Sequence, residues 1–126
     1  MVNSNLQKME AKFGLSQKVC IYIPSTIDVD KTIDNALYVK NTQIELVSLF
    51  GGATTVNNCV GSWYSDDLGK TVNENVTMVY SNTDLQNLEK HIAEVWNYAY
   101  KLCKLMRQEC ISLEINGKLY FVDSEF

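Results

Sequence analysis

The sequence is short of several things, and each shortage excludes a class of protein. Its 126 residues contain one proline, Pro24, so no proline-rich disordered linker divides it. There is no excess of positive charge. The formal net charge is −4 and the only arginine is Arg107, which leaves no basic face for a nucleic-acid backbone. One small phosphate-bearing ligand needs only two or three local donors and is not excluded on this ground. The four cysteines, Cys20, Cys59, Cys103 and Cys110, form no CxxC pair and stand beside a single histidine, so zinc-ligand spacing is missing. In strands and helices such cysteines act as small buried apolar residues. No apolar run approaches the roughly 20 residues of a membrane span. Met1 to Phe13 lacks the charged start and apolar run of a secretory signal. A reduced, cytosolic protein is the expectation, and the Asn75-Val76-Thr77 sequon then carries no meaning. Asp28, Asp30 and Asp34 crowd one stretch without the calcium-loop pattern; acids there suit a helix N-terminus.

What is present is an alternation of strand and helix periods. The length suits one domain, 1–126, with an N-terminal segment 1–17 and a core 18–122. Leu6, Met9 and Phe13 suggest a short helix that Gly14 ends. Lys18 to Pro24 reads as a strand apolar on both faces, with Val19, Ile21 and Ile23 on one side and Cys20 and Tyr22 on the other. Asp28 or Asp30 is expected to cap a helix running to Phe50, with Ile33, Leu37, Ile44 and Val47 as its apolar line and Gly51 as its stop. Thr54 to Tyr64 and Thr71 to Tyr80 read as a hairpin around Ser65 to Lys70. Thr83 and Gln86 form a capping box for a helix to about Gln108, with Leu85, Leu88, Ile92, Val95, Ala99, Leu102 and Met106 as its stripe. Cys110 to Ile115 and Lys118 to Val122 flank Asn116-Gly117, a strong hairpin signal. The order β-α-β-β-α-β-β is α+β and ferredoxin-like, an antiparallel sheet with two long helices on one face. The apolar Cys20 and Tyr22 face then implies a subunit contact and at least a dimer.

The chemistry-bearing residues form loose groups. Arg107 closes the second helix on one stripe with Trp96, Tyr100 and Cys103. Aromatic planes with a guanidinium fork suit a nucleotide, and they equally suit a wide core stripe with a charge at the helix end. Gly51-Gly52-Ala53-Thr54-Thr55 offers backbone N–H groups to an anion or simply stops a helix; it lacks the lysine and spacing of a P-loop. Trp63, Tyr64 and Glu74 meet across the first hairpin, where a carboxylate beside aromatic rings can take hydrogen bonds from a ribose or an adenine amine. Cross-strand packing with a solvated Glu74 is the plainer account. His91 has no nucleophile motif near it, so no triad can be argued.

The succession of the Val19 to Ile23 strand, a long helix, Gly51-Gly52-Ala53-Thr54, Gly61-Ser62-Trp63, Glu74, and a second helix entering Arg107-Gln108-Glu109-Cys110 and a terminal strand pair resembles the first type of Thoeris anti-defence protein. The likeness covers residues 18–122. It implies a phage or prophage sponge in the cytoplasm of the bacterial host. Such a protein binds, without cleaving, a cyclic ADP-ribose isomer made by a TIR-domain immune enzyme. It implies no cofactor, no metal and no catalysis. It also implies a dimer that can build hexamers, and in some members capture of cyclic trinucleotides at separate sites. Carried over by position, Arg107 would clamp the pyrophosphate and Trp63 with Glu74 would sit near the base or a ribose. Thr54 and Thr55 would donate to phosphate or ribose, and Asn97, one turn from Lys101, would add polar contacts. Trp63, Trp96 and Tyr100 compete to stack on the adenine. Two readings stand beside the sponge: an enzyme on a cyclic nucleotide with His91 and Glu74 as acid and base, and a structural oligomer.

Overall fold

The computed structural model describes residues 4–10, 13–28 and 31–124. Helix α1 (Ser4–Glu10) precedes β1 (Gln17–Pro24). Two short strands, β2 (Thr26–Ile27) and β3 (Lys31–Thr32), come next, then α2 (Ala36–Phe50), β4 (Thr54–Ser65) and β5 (Lys70–Thr83). Helix α3 (Leu85–Met106) leads to β6 (Ile111–Ile115) and β7 (Lys118–Val122). The main sheet has the order β4-β5-β1-β6-β7, and every neighbouring pair is antiparallel. This is the ferredoxin-like order with one strand added by a hairpin. No helix is long and apolar enough to cross a membrane among the described residues.

The core lies between the sheet and α2 with α3. Val19, Ile21 and Ile23 of β1 are fully buried and meet Leu46 of α2 and Val95, Ala99 and Met106 of α3. Strand alternation sends Tyr22 to the opposite face, where it is only half-buried. The Asn116-Gly117 turn holds both residues at positive φ, 53° and 84°, as a type I′ hairpin requires.

Three expectations need correction. The second helix of the chain begins at Ala36, several residues after Asp28, because Thr26–Ile27 and Lys31–Thr32 pair as β2 and β3 instead. Asp34 accepts from the Ala36 N–H at 3.0 Å, while Asp28 turns the hairpin at φ 54°; Asp30 lies outside the described residues. The buried line of α2 is Val39, Thr42 and Leu46, and Leu37, Ile44 and Val47 are exposed. Thr42 tolerates burial because its hydroxyl donates to the Tyr38 carbonyl at 2.8 Å and lies 2.8 Å from the Tyr98 hydroxyl. A polar letter therefore occupies a core position and misdirects the helical count. Finally, the cap of α3 is Asp84, which accepts from the Asn87 N–H at 2.7 Å, since Thr83 is still the last residue of β5.

Candidate functional site

The sheet face turned away from the helices carries a cleft of about 650 Å³. Trp63 of β4 and Glu74, Val76 and Met78 of β5 form one side. Tyr22 of β1 forms the floor, and Ser112, Leu119 and Phe121 of β6 and β7 form the other side. Gln108, Glu109 and Cys110, between α3 and β6, close one end. The walls are mainly apolar and aromatic, with a few converging polar groups, the usual make-up of a small-molecule site.

Register explains why Trp63 and Glu74 share this cleft. Val56 pairs with Met78 and Cys59 with Val76, so Asn57 and Asn58 together oppose Thr77 alone. This is a bulge, and Asn58 sits at φ 60° to make it. After the bulge the alternation is reset, and Cys59, Gly61 and Trp63 face the cleft. Gly61 lies opposite Glu74 and puts no side chain over its carboxylate.

Glu74 is half-buried and accepts a hydrogen bond from the Thr26 hydroxyl at 3.2 Å. Burial raises its pKa above the ordinary carboxylate range, and the Thr26 hydrogen bond partly opposes that rise. Tyr22 donates to Glu114 Oε1 at 2.8 Å, and burial with that bond pushes its pKa well up. Burial also raises Cys110, helped by the charges of Glu109, Asp123 and Glu74, so its thiol stays protonated. Glu74 and Glu109 are the carboxyl groups of the lining, which contains no lysine or arginine.

The remaining residues singled out in the sequence lie elsewhere. Arg107 takes the left-handed position that ends α3 (φ 50°, ψ 51°), and its Nε lies 2.6 Å from Asp28 Oδ1. It does not line the cleft, although its neighbours Gln108 and Glu109 do. Trp96 packs edge-on against Tyr120 at 5.8 Å, on the helix side of the sheet. Tyr100 also packs on the core and has Lys104 Nζ 5.4 Å from its ring centre. Asn97 and Lys101 line a smaller hollow of about 230 Å³ with Glu45, Glu94 and Tyr98. Thr54 is exposed at the start of β4, and Thr55 accepts from Gln43 Nε2 at 2.6 Å. Gly51 ends α2 at φ 86°, its N–H bonded to Val47, which meets the plainer account of the glycine pair. His91 pairs with Glu94 at 2.9 Å and stands edge-on to Phe50, on the helix side and away from Glu74. An acid–base pair of His91 and Glu74 is therefore not assembled.

Sequence reasoning brings Trp63 and Glu74 together and misses Gln108, Met78, Leu119 and Phe121. A signal for the last three is present: Val72, Val76 and Met78 alternate along one face of β5, and β7, like β1, is apolar on both faces. Gln108 carries none, since its place depends on how α3 ends.

No family model matches the chain, and no curated protein matches it. Solved structures do. The chain is similar to a phage SAM lyase in complex with S-methyl-5′-thioadenosine, with 21% identity and a TM-score of 0.66, over 91% of this chain and 95% of that one. It is likewise similar to a phage SAM lyase in the apo state, with 19% identity and a TM-score of 0.62 over the same shares. At such identity the likeness establishes the fold. It also corrects the expectation of a protein without catalysis, since the fold found is that of an enzyme. That expectation came from the resemblance and agreed with the absence of a nucleophile, triad or metal motif. A lyase acting at a sulfonium needs none of these, because the substrate carries its own leaving group.

Proposed function

We propose that the chain binds a positively charged, adenosine-bearing sulfonium compound in the Trp63–Glu74 cleft and cleaves it as a lyase, with SAM as substrate. The carrying observation is the lining: an aromatic and apolar cleft with two carboxylates, Glu74 and Glu109, and no cationic side chain. Such a surface attracts a cation and repels a pyrophosphate. Trp63 offers a ring for the adenine, and Glu74 offers a carboxylate for ribose hydroxyls or for the positive end of the substrate. Those contacts bind and orient.

In the cleavage step the bond between the sulfonium sulfur and the aminobutyryl carbon breaks. The electron pair stays on sulfur, which leaves as the neutral thioether S-methyl-5′-thioadenosine. A lyase adds no water, so the carbon is satisfied from within the substrate, by its own carboxylate oxygen or by an adjacent C–H bond whose proton is lost. Charge disappears from sulfur as the bond breaks. Walls such as Val76, Met78, Leu119 and Phe121 favour that loss over the charged ground state.

The likeness in fold to a lyase in complex with S-methyl-5′-thioadenosine supports this reading. A cyclic ADP-ribose isomer, the ligand implied by the Thoeris resemblance, is the rival occupant. Its pyrophosphate would meet Glu74 and Glu109, while Arg107 is engaged with Asp28 outside the cleft. The test is direct. Purified protein is incubated with SAM in one tube and with a TIR-enzyme product in another, and both are followed by mass spectrometry before and after heat denaturation. Release of S-methyl-5′-thioadenosine is the expected result. Intact SAM together with tight retention of the cyclic nucleotide would overturn the lyase reading.

A further inference from the structure

The two residues that follow α3 both reach the small β2–β3 hairpin. Arg107 pairs with Asp28 at 2.6 Å, and the Asp28 N–H donates to the Met106 carbonyl at 3.0 Å. Both members of this ion pair hold left-handed backbone, with φ 54° at Asp28 and 50° at Arg107. Glycine would take the helix-ending position of Arg107 at lower cost, so the arginine there is kept for what its side chain reaches. Gln108 is fixed by the same helix ending, its N–H on the Cys103 carbonyl at 3.0 Å and the Cys103 thiol on its own carbonyl at 3.1 Å. Its side-chain amide donates to the Thr26 carbonyl at 2.8 Å and to Thr26 Oγ1 at 3.3 Å. Thr26 in turn donates to Glu74 Oε1 at 3.2 Å.

We infer that Thr26 and Gln108 are positioning residues for Glu74, a relay in which the end of α3 holds the β2–β3 hairpin and the hairpin aims the Glu74 carboxylate into the cleft. The importance of that aim rests on the proposed ligand site; the relay itself is a property of the free protein. Directionality supports it. An amide N–H can only donate, so Gln108 occupies an acceptor site on the Thr26 oxygen and leaves the hydroxyl proton for Glu74. The connection spans sequence positions 26, 74 and 108, so it couples three separate segments through two side-chain bonds.

Other titratable groups surround Glu74. Glu109 and Cys110 come from the α3–β6 connection, Cys59 from β4, and Tyr22 from β1 with Glu114 of β6 as its partner. Asp28 and Arg107 neutralise each other beyond Thr26. The Thr26 bond favours the charged form of Glu74, so its removal leaves burial unopposed and moves the Glu74 midpoint upward.

The experiment is a carbon-detected NMR titration of the Glu74 carboxyl in the full chain without ligand, the signal being assigned by its loss in Glu74→Gln. Thr26→Val removes the hydroxyl at near-constant volume, Thr26→Ser keeps it, and Gln108→Leu leaves β2 unchanged while removing the donor. The expected result is a midpoint at higher pH in Thr26→Val, a smaller shift of the same sign in Gln108→Leu, and a near wild-type midpoint in Thr26→Ser. A purely structural role would lower thermal stability and leave the Glu74 midpoint in place; that outcome overturns the relay. If Thr26→Val does not fold, Gln108→Leu decides by the same reading. Titration of S-methyl-5′-thioadenosine into the same proteins is expected to show about five-fold weaker binding in Thr26→Val. Failure of the wild-type protein to bind that compound or SAM would remove the ligand reading, and the Glu74 midpoints would still decide the relay.

Discussion

Glu74 illustrates how one residue can cost stability and serve binding. Its folded-state pKa is raised by burial. A raised pKa means that the folded protein holds the proton more tightly than the unfolded chain. Its stabilising contribution is therefore present below the ordinary glutamate range and is lost as pH rises through the raised folded value. At neutral pH the ionised carboxylate sits in a site that would prefer it protonated. Glu74→Gln is accordingly expected to raise the melting temperature at pH 7 and to leave it unchanged near pH 3, below the glutamate range of about 4.3, which scanning calorimetry at the two pH values checks. The same substitution removes the charge that meets a cationic ligand. SAM affinity is expected to fall roughly ten- to hundred-fold, the worth of a hydrogen bond to a charged group. Affinity for the uncharged S-methyl-5′-thioadenosine is expected to fall less. Equal losses for both compounds would place the positive end of SAM away from Glu74. In the wild-type protein SAM binding is expected to weaken as pH falls through the raised Glu74 value.

At the scale of elements, the bulge in β4 decides which side chains face the cleft. Strand alternation has a period of two, so one residue more or less inverts everything after it. Here the bulge takes up the odd residue: deletion of Asn58 leaves Asn57 alone opposite Thr77 and is expected to keep Cys59, Gly61 and Trp63 on the cleft face of a straighter β4. Ser62, bonded to Asn73 at 2.6 Å on the other side, would stay there, and Gly61 would still lie opposite Glu74. The expected readout is a retained tryptophan fluorescence change on ligand binding, with folding retained by circular dichroism. Loss of the response would mean that the bend of the bulge, and not the facing alone, places Trp63 in the cleft. This element also marks the boundary of what can be read from sequence. Strands β1, β6 and β7 and helix α3 are legible because strict alternation, a continuous apolar stripe and Asn116-Gly117 each specify local geometry. The β2–β3 hairpin is not, because two strands of two residues each leave no periodicity to detect. Asn57-Asn58 gives no bulge signal distinct from an ordinary polar pair in a strand. That Trp63 and Glu74 share one face near the hairpin end is legible from hairpin symmetry. The contribution of Gln108 depends on a left-handed Arg107, which no spacing rule encodes.

On the scale of the whole molecule, the sheet face that carries the cleft has no helix over it among the described residues. Val56, Trp63, Leu119 and Phe121 stand 39%, 49%, 45% and 64% exposed on this face. The accessible surface of the chain is 8449 Å², whereas a compact monomer of this mass exposes about 6,800 Å². The excess is more than the roughly 800 Å² that a standard interface takes from one partner. Part of it belongs to the exposed N-terminal helix, and the apolar sheet face is the surface on which burial gains most. A second copy of the same chain is the occupant we propose for this face, because an isologous contact uses the same patch on both subunits and closes without leaving a free patch. The helix α2 offers a weaker alternative in its exposed Leu37, Ile44 and Val47. Sedimentation analysis separates the two. The wild-type chain is expected to sediment as a dimer or larger, Phe121→Glu as a monomer, and Ile44→Glu as the wild type does. Dissociation by Ile44→Glu alone would move the contact to the helices and leave the cleft open to solvent. A monomer throughout the accessible concentration range would mean that the sheet face is kept free for the ligand. In that case Trp63 and Phe121, which the second copy would otherwise shield, are the apolar surface that the adenosine group covers on binding.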